Sequence, residues 1–302
     1  MVARLVSRRR IHRRRRPRPK EASEARSVFG AGRAAGAPLM HHLLEEDPEA
    51  LERFARLPQA LLILDFDGTI APFAPTPDTA RLEPAAKSAL DRLLQAASSG
   101  LHVGVASGRS IDDLRRRLPP LHVWIGLHGL ESAIGDEAPR LRFDPSISDR
   151  ALERLRSRLD TVIGAGGRIE DKVHSIAVHV SGLEPARAAA AIAAFVREVE
   201  RERDDGAPLE CLSGAMVVEA RPCGAGKHHA IEEIWGTLGA DGLAFVGDDV
   251  TDEEVFRAYR DELTVAVMDP VRTSAATYYL RTPRETAAML NAIAGHRTSL
   301  DG

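Results

Sequence analysis

Four apolar residues at 61–64 (LLIL) run directly into two aspartates, Asp65 and Asp67, and then into Gly68-Thr69. The apolar run predicts a buried strand, and two acids at the carboxyl end of such a strand are costly unless something binds them. Side chains at i and i+2 of a strand share one face, so both carboxylates can reach one point. Gly68 lets the chain leave the strand with an unusual backbone angle. This arrangement favours a divalent cation and a phosphate, with one carboxylate able to attack phosphorus.

Apolar strand patterns alternate with amphipathic helix patterns over much of the chain. Strands are predicted at 61–64, 103–107, 123–125, 243–246 and 264–268, and helices at 84–98, 111–118, 226–238, 252–259 and 283–294. Strands of this kind that alternate with amphipathic helices imply a parallel sheet covered on both faces. The sequence therefore predicts an α/β protein whose core is a Rossmann-like, doubly wound parallel sheet.

The pattern changes between about residues 139 and 223. Helices are predicted at 146–160 and 184–202, and strands at 175–180 and 215–220. The segment 175–180 alternates apolar and polar residues, as a strand with one solvated face does. These features predict an inserted α+β cap domain at 139–223, which divides the catalytic core into segments 58–138 and 224–297.

Small or reactive residues follow three further strands of the predicted core. They are Ser107-Gly108-Arg109, the segment 126–129, and Gly247-Asp248-Asp249. Because the carboxyl ends of strands in an open α/β sheet meet at one crevice, we expect these residues to lie near Asp65. Oxygen ligands from Asp65, Asp67 and Asp248 suit octahedral Mg²⁺, which is the expected cofactor.

Each of these residues, taken alone, has a structural interpretation. Asp67-Gly68-Thr69 could form a turn, Ser107 or Thr251 could cap a helix, and Lys227 could be a surface lysine. The order of the motifs, each after a strand, favours the catalytic interpretation instead. Lys227, which lies between the inserted segment and the returning core, could then neutralise both the nucleophilic carboxylate and the phosphate.

The net charge of −3 is distributed unevenly. Residues 1–40 hold twelve Arg or Lys and two Glu, a balance of +10, whereas the remaining residues hold 29 basic and 42 acidic side chains, a balance of −13. The basic segment has no hydrophobic periodicity, so a disordered Arg-rich tail is predicted at 1–40. It is interpreted as a solvated tail or as sequence ahead of a true start at Met40. A nucleic-acid or membrane-surface arm is the alternative.

Cysteine content and hydropathy constrain the compartment. The two cysteines, Cys211 and Cys223, form no CxxC motif and imply no disulfide framework, which fits a reducing environment. No apolar run approaches the ~18 residues needed to span a membrane. A cytoplasmic location and no membrane partner are therefore expected. The chain is also expected to be a monomer, with nucleic acid an unlikely ligand.

These motifs resemble those of the haloacid dehalogenase superfamily of phosphatases. The resemblance implies that Asp65 is the nucleophile that becomes an aspartyl phosphate, and that Asp67 is the general acid and then the general base. It implies that Ser107 and Lys227 hold the phosphate and that Asp248 binds the metal, supported by Asp249 and Asp252. The segment between Ser107 and Lys227 then resembles a mobile cap that selects the substrate.

Within that superfamily, about residues 58–295 resemble the trehalose-6-phosphate phosphatases. The matching motifs are GLHGLE at 126–131, RIEDK at 168–172, VVEARP at 217–222 and GDDVTDE at 247–253. The resemblance implies six substrate-binding residues: Arg109, His128, Glu170, Lys172, His179 and Glu219. Without it, Glu219 would be interpreted as part of a solvated strand face and His179 as a satisfied partner in the cap sheet.

Three segments depart from the usual family pattern. Leu127 stands where Asn is common, His179-Val180-Ser181 replaces His-Tyr-Arg, and Gly226-Lys227-His228 replaces Asn-Lys-Gly. The expected activity is hydrolysis of trehalose 6-phosphate to trehalose and phosphate. The alternatives are a related phosphatase acting on sucrose phosphate or mannosyl phosphoglycerate, or a nucleic-acid-associated protein that uses the fold as a scaffold.

Overall fold

The computed structural model describes residues 40–74, 76–96, 100–172, 174–213 and 216–299. Apart from Met40, the segment predicted as a disordered tail lies outside these ranges. The strands of the described residues, numbered here in chain order, are β1 His41–His42, β2 Ala60–Leu64, β3 Leu101–Ala106, β4 Val123–Gly126, β5 Glu131–Ile134, β6 Arg140–Leu141, β7 Arg168–Asp171, β8 Ile176–His179, β9 Leu209–Ser213, β10 Val217–Pro222, β11 Gly242–Gly247, β12 Leu263–Val267 and β13 Tyr278–Leu280. The α-helices are Leu43–Glu46, Glu49–Ala55, Pro84–Ala96, Ile111–Arg117, Ser146–Arg156, Asp160–Gly164, Pro185–Asp204, Lys227–Leu238, Asp252–Ala258 and Pro283–Thr298.

Within the described ranges, nine strands form the larger sheet, in the order β1-β13-β12-β11-β2-β3-β4-β5-β6. In this spatial order, all neighbouring strands from β1 at one edge through β13, β12, β11, β2 and β3 to β4 are parallel. Strands β5 and β6 are added antiparallel at the other edge. Every residue of β2, β11 and β12 is buried, as expected of strands covered on both faces. The α/β prediction is therefore confirmed.

The pairing register places the strand ends that carry the chemistry side by side. Leu64 of β2 lies opposite Val246 of β11 and Val105 of β3. All three strands are parallel, so the residues after them, Asp65, Ser107 and Asp248, emerge at the same edge. The order β11-β2-β3 thus brings together residues that are far apart in the sequence.

A second sheet has four antiparallel strands in the order β7-β8-β10-β9. Alternation along β10 places Val218 and Ala220 in a cluster of apolar residues with the helix Pro185–Asp204, while Glu219 and Arg221 face the other side. The cap sheet therefore has one face on its own core and one face towards the larger sheet. This agrees with the predicted α+β cap, whose exact boundaries at 139–223 stay a prediction.

Several elements were not predicted from the sequence. β1 and the helices Leu43–Glu46 and Glu49–Ala55 precede residue 58, and Leu43, Leu51 and Phe54 are buried in the core cluster. The single helix predicted at 146–160 is two helices, Ser146–Arg156 and Asp160–Gly164. None of the helices in the described ranges combines the length and hydropathy that crossing a membrane requires.

Candidate active site

Asp65 lies at the centre of the site, directly after β2. Its backbone N–H donates to the carbonyl of Val246 at 2.8 Å, which continues the pairing of β2 with β11 by one residue. Its side chain is 5% exposed, and the N–H of Phe66 donates to Asp65 Oδ1 at 2.7 Å. Asp65 is thus a fixed carboxylate at the floor of a cavity.

Lys227, the first residue of the helix Lys227–Leu238, supplies the opposite charge. Its Nζ lies 2.7 Å from Asp252 Oδ1 and 3.1 Å from Asp65 Oδ1, and its side chain is 2% exposed. Burial alone would lower the pKa of Lys227, but the carboxylates of Asp252 and Asp65 outweigh it and raise that pKa. The lysine is therefore a buried cation beside Asp65 and not the surface lysine of the structural interpretation, while its role in holding phosphate stays a prediction.

Three buried aspartates form the acidic cluster of the site. Asp65, Asp248 and Asp252 offer oxygen atoms that all lie within 4.8 Å of one another. Burial raises the pKa of Asp248 to about 7, and the charges of Asp252 and Asp249 add to the shift. Three acids beside one lysine leave an excess of negative charge, and an all-oxygen donor set suits Mg²⁺. The cluster therefore fits the expected cation.

The members of this cluster differ from the ligand set expected from the sequence. Among the described residues, the clustered oxygens belong to Asp65, Asp248 and Asp252, whereas the carboxylate of Asp67, which stays a predicted ligand, pairs with Arg109. Asp252 also accepts the N–H of Asp248 at 3.0 Å and the N–H of Asp249 at 3.1 Å. It therefore fixes the turn that carries Asp248 as well as binding Lys227.

The backbone geometry at position 68 explains why a glycine follows the Asp-x-Asp motif. Its φ is +76°, and an added Cβ would lie 2.2 Å from Asp248 Oδ2. Thr69 Oγ1 donates to Asp248 Oδ1 at 3.1 Å. The chain at 67–69 is thus a turn, but one whose shape brings Asp248 against Asp65.

Asp67 is held by Arg109. The guanidinium donates from Nε to Asp67 Oδ2 at 2.7 Å and from Nη2 to Oδ1 at 2.8 Å, while Nη1 donates to Asp113 at 3.0 Å. A bidentate pair of this kind fixes the orientation of the carboxylate. The sequence predicted Arg109 as a substrate contact, and the structure adds a contact with the expected general acid.

The loop that contains Ser107 is shaped by the segment 126–129. The N–H of Leu127 donates to the carbonyl of Arg109 and that of His128 to the carbonyl of Ser107, both at 2.9 Å. Leu127 and His128 have φ values of 49° and 53°, a region that non-glycine residues rarely adopt. An added Cβ on Gly108 would lie 2.4 Å from His128 Nε2, so the imidazole packs directly on the loop.

The structural interpretation of Ser107 as a helix cap is wrong. Ser110 caps the helix Ile111–Arg117 by accepting the N–H of Asp113 at 3.3 Å. Ser107 is buried and accepts the N–H of Arg109 at 3.3 Å. It is therefore available to the cavity, which it lines.

The cap sheet supplies the wall opposite Asp65. Lys172 Nζ donates to Glu219 Oε2 at 3.1 Å, and His179 Nε2 lies 2.7 Å from Glu170 Oε2. Burial would raise the pKa of Glu219, but Lys172 and His128 outweigh it and lower that pKa. Glu219 is thus an ionised acceptor 8% exposed, in place of the solvated side chain that its strand pattern suggested.

One cavity of about 690 Å³ joins the two sheets. Nine of the ten predicted catalytic and substrate-binding residues line it, together with Asp248; the tenth, His179, lies behind Glu170. The predicted site residues on its wall are Asp65, Asp67, Ser107, Arg109, His128, Glu170, Lys172, Glu219 and Lys227. The structure therefore brings together residues from both halves of the core and from the inserted segment.

The sequence did not indicate a role for three further residues of this wall. Arg221 is 5% exposed and binds Glu210 and Glu254, which belong to the cap sheet and to the core helix Asp252–Ala258. His174 contacts Asp149, and Phe73 lies at the mouth of the cavity. Arg221 follows Glu219 at i+2 of β10, which was the available signal, whereas His174 and Phe73 lie in loops without a local pattern.

Comparison with known proteins identifies the family. The trehalose-phosphatase family model matches residues 63–283. The probable trehalose-phosphate phosphatase of Sinorhizobium fredii is 33% identical over 223 residues, which cover 71% of this chain and 80% of that protein. The trehalose-phosphate phosphatase of Mycolicibacterium paratuberculosis is 30% identical over 249 residues, which cover 77% of this chain but only 61% of that longer protein.

The fold has a counterpart among solved structures. The C-terminal domain of trehalose-6-phosphate phosphatase from C. albicans superposes with a TM-score of 0.67 at 20% identity, over 85% of this chain and 99% of that domain. The fold expected from the resemblance to haloacid dehalogenases is therefore confirmed. The family model covers core strands, the cap sheet and the strand-end motifs. The chain therefore belongs to the trehalose-phosphatase family.

Proposed function

We propose that this chain hydrolyses trehalose 6-phosphate to trehalose and phosphate, with Asp65 as the nucleophile. One observation carries the proposal: the Asp65–Lys227 pair and the Glu219–Lys172 pair face the same cavity. The first pair suits the transfer of a phosphoryl group, and the second suits recognition of a polyol. Two family relatives are named as phosphatases of trehalose phosphate, in agreement with this substrate.

In the first step, an oxygen of Asp65 attacks phosphorus and the bond from phosphorus to the sugar oxygen breaks. Lys227 and Ser107 stabilise the charge on the transferring group, where most of the catalysis of phosphoryl transfer resides. Asp67 gives its proton to the departing sugar oxygen, so the alcohol leaves neutral. The products of this step are the free sugar and an aspartyl phosphate on Asp65.

In the second step, water attacks phosphorus and the bond to Asp65 breaks. Asp67, now ionised, takes a proton from this water and is restored to its acid form, while phosphate leaves. Asp67 can perform both roles only when its carboxylate points at the reacting oxygen. We infer that Arg109 sets this orientation in both steps.

The expected Mg²⁺ would be held by Asp65, Asp248 and Asp252, the acids of the cluster. When bound, it supplies a positive charge that favours a phosphate oxygen over water in the cavity. Lys227 alone leaves the cluster with net negative charge, which would repel a phosphate dianion. Activity is therefore proposed to depend on the divalent cation. A monomeric, cytoplasmic enzyme is also part of the proposal.

The test is phosphate release with Mg²⁺ from a panel of trehalose 6-phosphate, sucrose 6-phosphate, glucose 6-phosphate and mannosyl phosphoglycerate. A strong preference for trehalose 6-phosphate is expected. Asp65→Asn should lower turnover by roughly 10⁴-fold or more, because an amide cannot form the acyl phosphate. Preference for another sugar phosphate would retain the mechanism and refute the substrate, and near-wild-type activity of Asp65→Asn would refute the nucleophile.

The cap residues are tested separately with Glu219→Gln. The substitution keeps the size of the side chain but removes the charge that strengthens hydrogen bonds to hydroxyl groups. We expect a clear loss of kcat/KM for trehalose 6-phosphate and a much smaller loss for acetyl phosphate, which has no sugar. Glu200→Gln, at an exposed position of the cap helix Pro185–Asp204, is the matched control. An equal loss on both substrates would show that Glu219 does not select the sugar.

A further inference from the structure

Phe73 is both highly exposed to solvent and part of the lining of the cavity, a combination that is uncommon for a large apolar side chain. Its side chain is 79% exposed, more than any other large apolar side chain named among the exposed ones of the described residues. It also lines the cavity that contains Asp65, whereas Ile163 and Val271, which are 56% and 49% exposed, do not. An exposed aromatic ring at the mouth of a binding cavity indicates a ligand contact more strongly than scattered surface residues do.

The loop that carries Phe73 is anchored at both ends. The N–H of Gly68 donates to the carbonyl of Ala71 at 2.7 Å, and the N–H of Glu83 donates to the carbonyl of Ile70 at 3.0 Å. Further along, Arg117 Nη1 donates to the carbonyl of Ala80 at 3.0 Å. Phe73 therefore lies between anchored segments of the described chain, and its exposure is not that of an unattached chain end.

The local sequence also restricts the position of the ring. Pro72 precedes Phe73, and proline fixes its own φ and restricts the backbone of the residue before it, here Ala71. Ala71, directly before it, is fully buried. The two features fix the backbone that leads to Phe73 beside the Asp65–Asp67 turn, where Ala71 forms a bridge with Asp67.

The charged cap residues on the opposite wall of the cavity offer no flat apolar surface to a sugar ring. Glu170, Lys172 and Glu219 present charges and hydrogen-bonding atoms, which suit the hydroxyl groups around the edge of a pyranose. The faces of a glucopyranose carry axial C–H groups, which gain little from carboxylates. An aromatic ring offers those faces a flat apolar surface with a negative π cloud.

We propose that Phe73 is a stacking platform for a pyranose ring of the substrate, and that it determines specificity for cyclic sugar phosphates. The proposal rests on the proposed function, because it takes the sugar phosphate as the occupant of the cavity. Phosphorus reacts at Asp65, and the sugar extends towards the mouth between Phe73 and the cap wall. Phe73 acts on binding of the sugar and takes no part in proton or phosphoryl transfer.

Three substitutions of Phe73 distinguish stacking by an aromatic face from simple filling of space by an apolar side chain. Phe73→Trp keeps an aromatic face, Phe73→Leu keeps an apolar side chain without a π face, and Phe73→Ala removes both. Against trehalose 6-phosphate, we expect KM to rise about fivefold to tenfold in Phe73→Ala and nearly as much in Phe73→Leu, with Phe73→Trp close to wild type. The value of kcat should change less than twofold. Val271→Ala, at an exposed position outside the cavity, is the control.

Acetyl phosphate, which has no ring, provides the comparison substrate. Its kcat/KM should change far less than that of trehalose 6-phosphate in each Phe73 variant. Binding of trehalose itself, measured by calorimetry, should weaken in Phe73→Ala and Phe73→Leu. An equal loss on both substrates would show that the ring supports the loop or the cap instead, and wild-type values for all three variants would show no role. Either result overturns the proposal.

The two proposals fail in different ways. If the wild-type enzyme prefers another sugar phosphate, the proposed function is wrong, and the same three variants are then measured on that sugar. If the wild-type enzyme prefers trehalose 6-phosphate but Phe73→Leu matches it in KM and in trehalose affinity, only the platform is wrong.

Discussion

At the scale of single residues, Arg109 is proposed to orient Asp67 in both steps of the reaction, when Asp67 donates a proton and when it accepts one. Arg109→Lys keeps the charge but cannot donate to both oxygens of Asp67 in the fixed geometry of a guanidinium. We expect kcat/KM for trehalose 6-phosphate to fall on the order of 100-fold. Arg116→Lys, at a position 69% exposed in the helix Ile111–Arg117 that follows Arg109, is the control. An unchanged kcat/KM in Arg109→Lys would mean that the pair does not orient the acid.

His128 gives a prediction about pH. Burial lowers the pKa of His128 to about 4 from 6.5, and the nearby charge of Lys227 adds to this shift, while Glu219 and Asp249 oppose it. Between these two values the unfolded chain binds more protons than the folded chain. The contribution of His128 is therefore fully present above about pH 6.5 and is lost as the pH falls towards 4.

The variant that tests this is His128→Asn, which cannot titrate in that range. Its free energy of unfolding should fall less steeply between pH 6.5 and 4 than that of the wild type, by on the order of 3 kcal/mol in total. Urea titrations at several pH values measure it. Because burial also lowers the pKa of His228 to about 4, a residual slope is expected. Identical slopes for the two proteins would contradict the prediction.

At the scale of secondary-structure elements, Asp252 links the start of the helix Asp252–Ala258 to Lys227. Asp252→Ala would leave Lys227 with one fewer buried partner and would leave the N–H groups of Asp248 and Asp249 without their acceptor. Removing one partner of a buried pair costs about 3–5 kcal/mol. Urea unfolding should show a loss of this size, while Asp136→Ala, at an exposed turn, should change stability little. A loss below about 1 kcal/mol would contradict this role.

The cap sheet meets the core helix through Arg221. Its Nη2 donates to Glu254 Oε1 at 2.7 Å and its Nε to Glu210 Oε1 at 2.9 Å, so one buried guanidinium joins β10 to both elements. A double-mutant cycle of Arg221→Met and Glu254→Gln should give a coupling energy of about 1–3 kcal/mol in the free energy of unfolding. Additive effects would mean that the two elements are not held together by this pair.

At the scale of the whole molecule, the acidic cluster predicts that the cation stabilises the fold. Mg²⁺ at 100 times its Kd should raise the free energy of unfolding by about 2.7 kcal/mol, and removal by EDTA should reverse the gain. Asp248→Asn should lose most of this response, since it removes one ligand charge from a group of three acids. A Mg²⁺-dependent shift in Tm that survives in Asp248→Asn would place the cation elsewhere.

The sequence alone was sufficient wherever a local pattern carried the information. The strand β2 and the residues that follow it were predictable because an apolar run, two acids at i and i+2 and a glycine are adjacent in the chain. The same holds for Ser107 after β3 and Asp248 after β11, whose meeting follows from the rule for parallel sheets. The cap wall was predictable only through its resemblance to a family, because Glu219 on a strand has no local mark of function.

The tertiary structure alone decided the contacts between residues that are distant in the sequence. His42, in the strand that was missed, contacts Glu285 across 243 positions, and no local pattern encodes that separation. Arg109 and Asp67 are 42 positions apart, and Arg221 and Glu254 are 33. Composition and periodicity report which residues are buried or exposed, but partners depend on how strands are ordered and helices packed. That is why the sequence alone led to Asp65 as the proposed nucleophile, while only the fold decided that Asp252 joins the acidic cluster, that Arg109 holds Asp67, and that Phe73 stands at the mouth of the cavity.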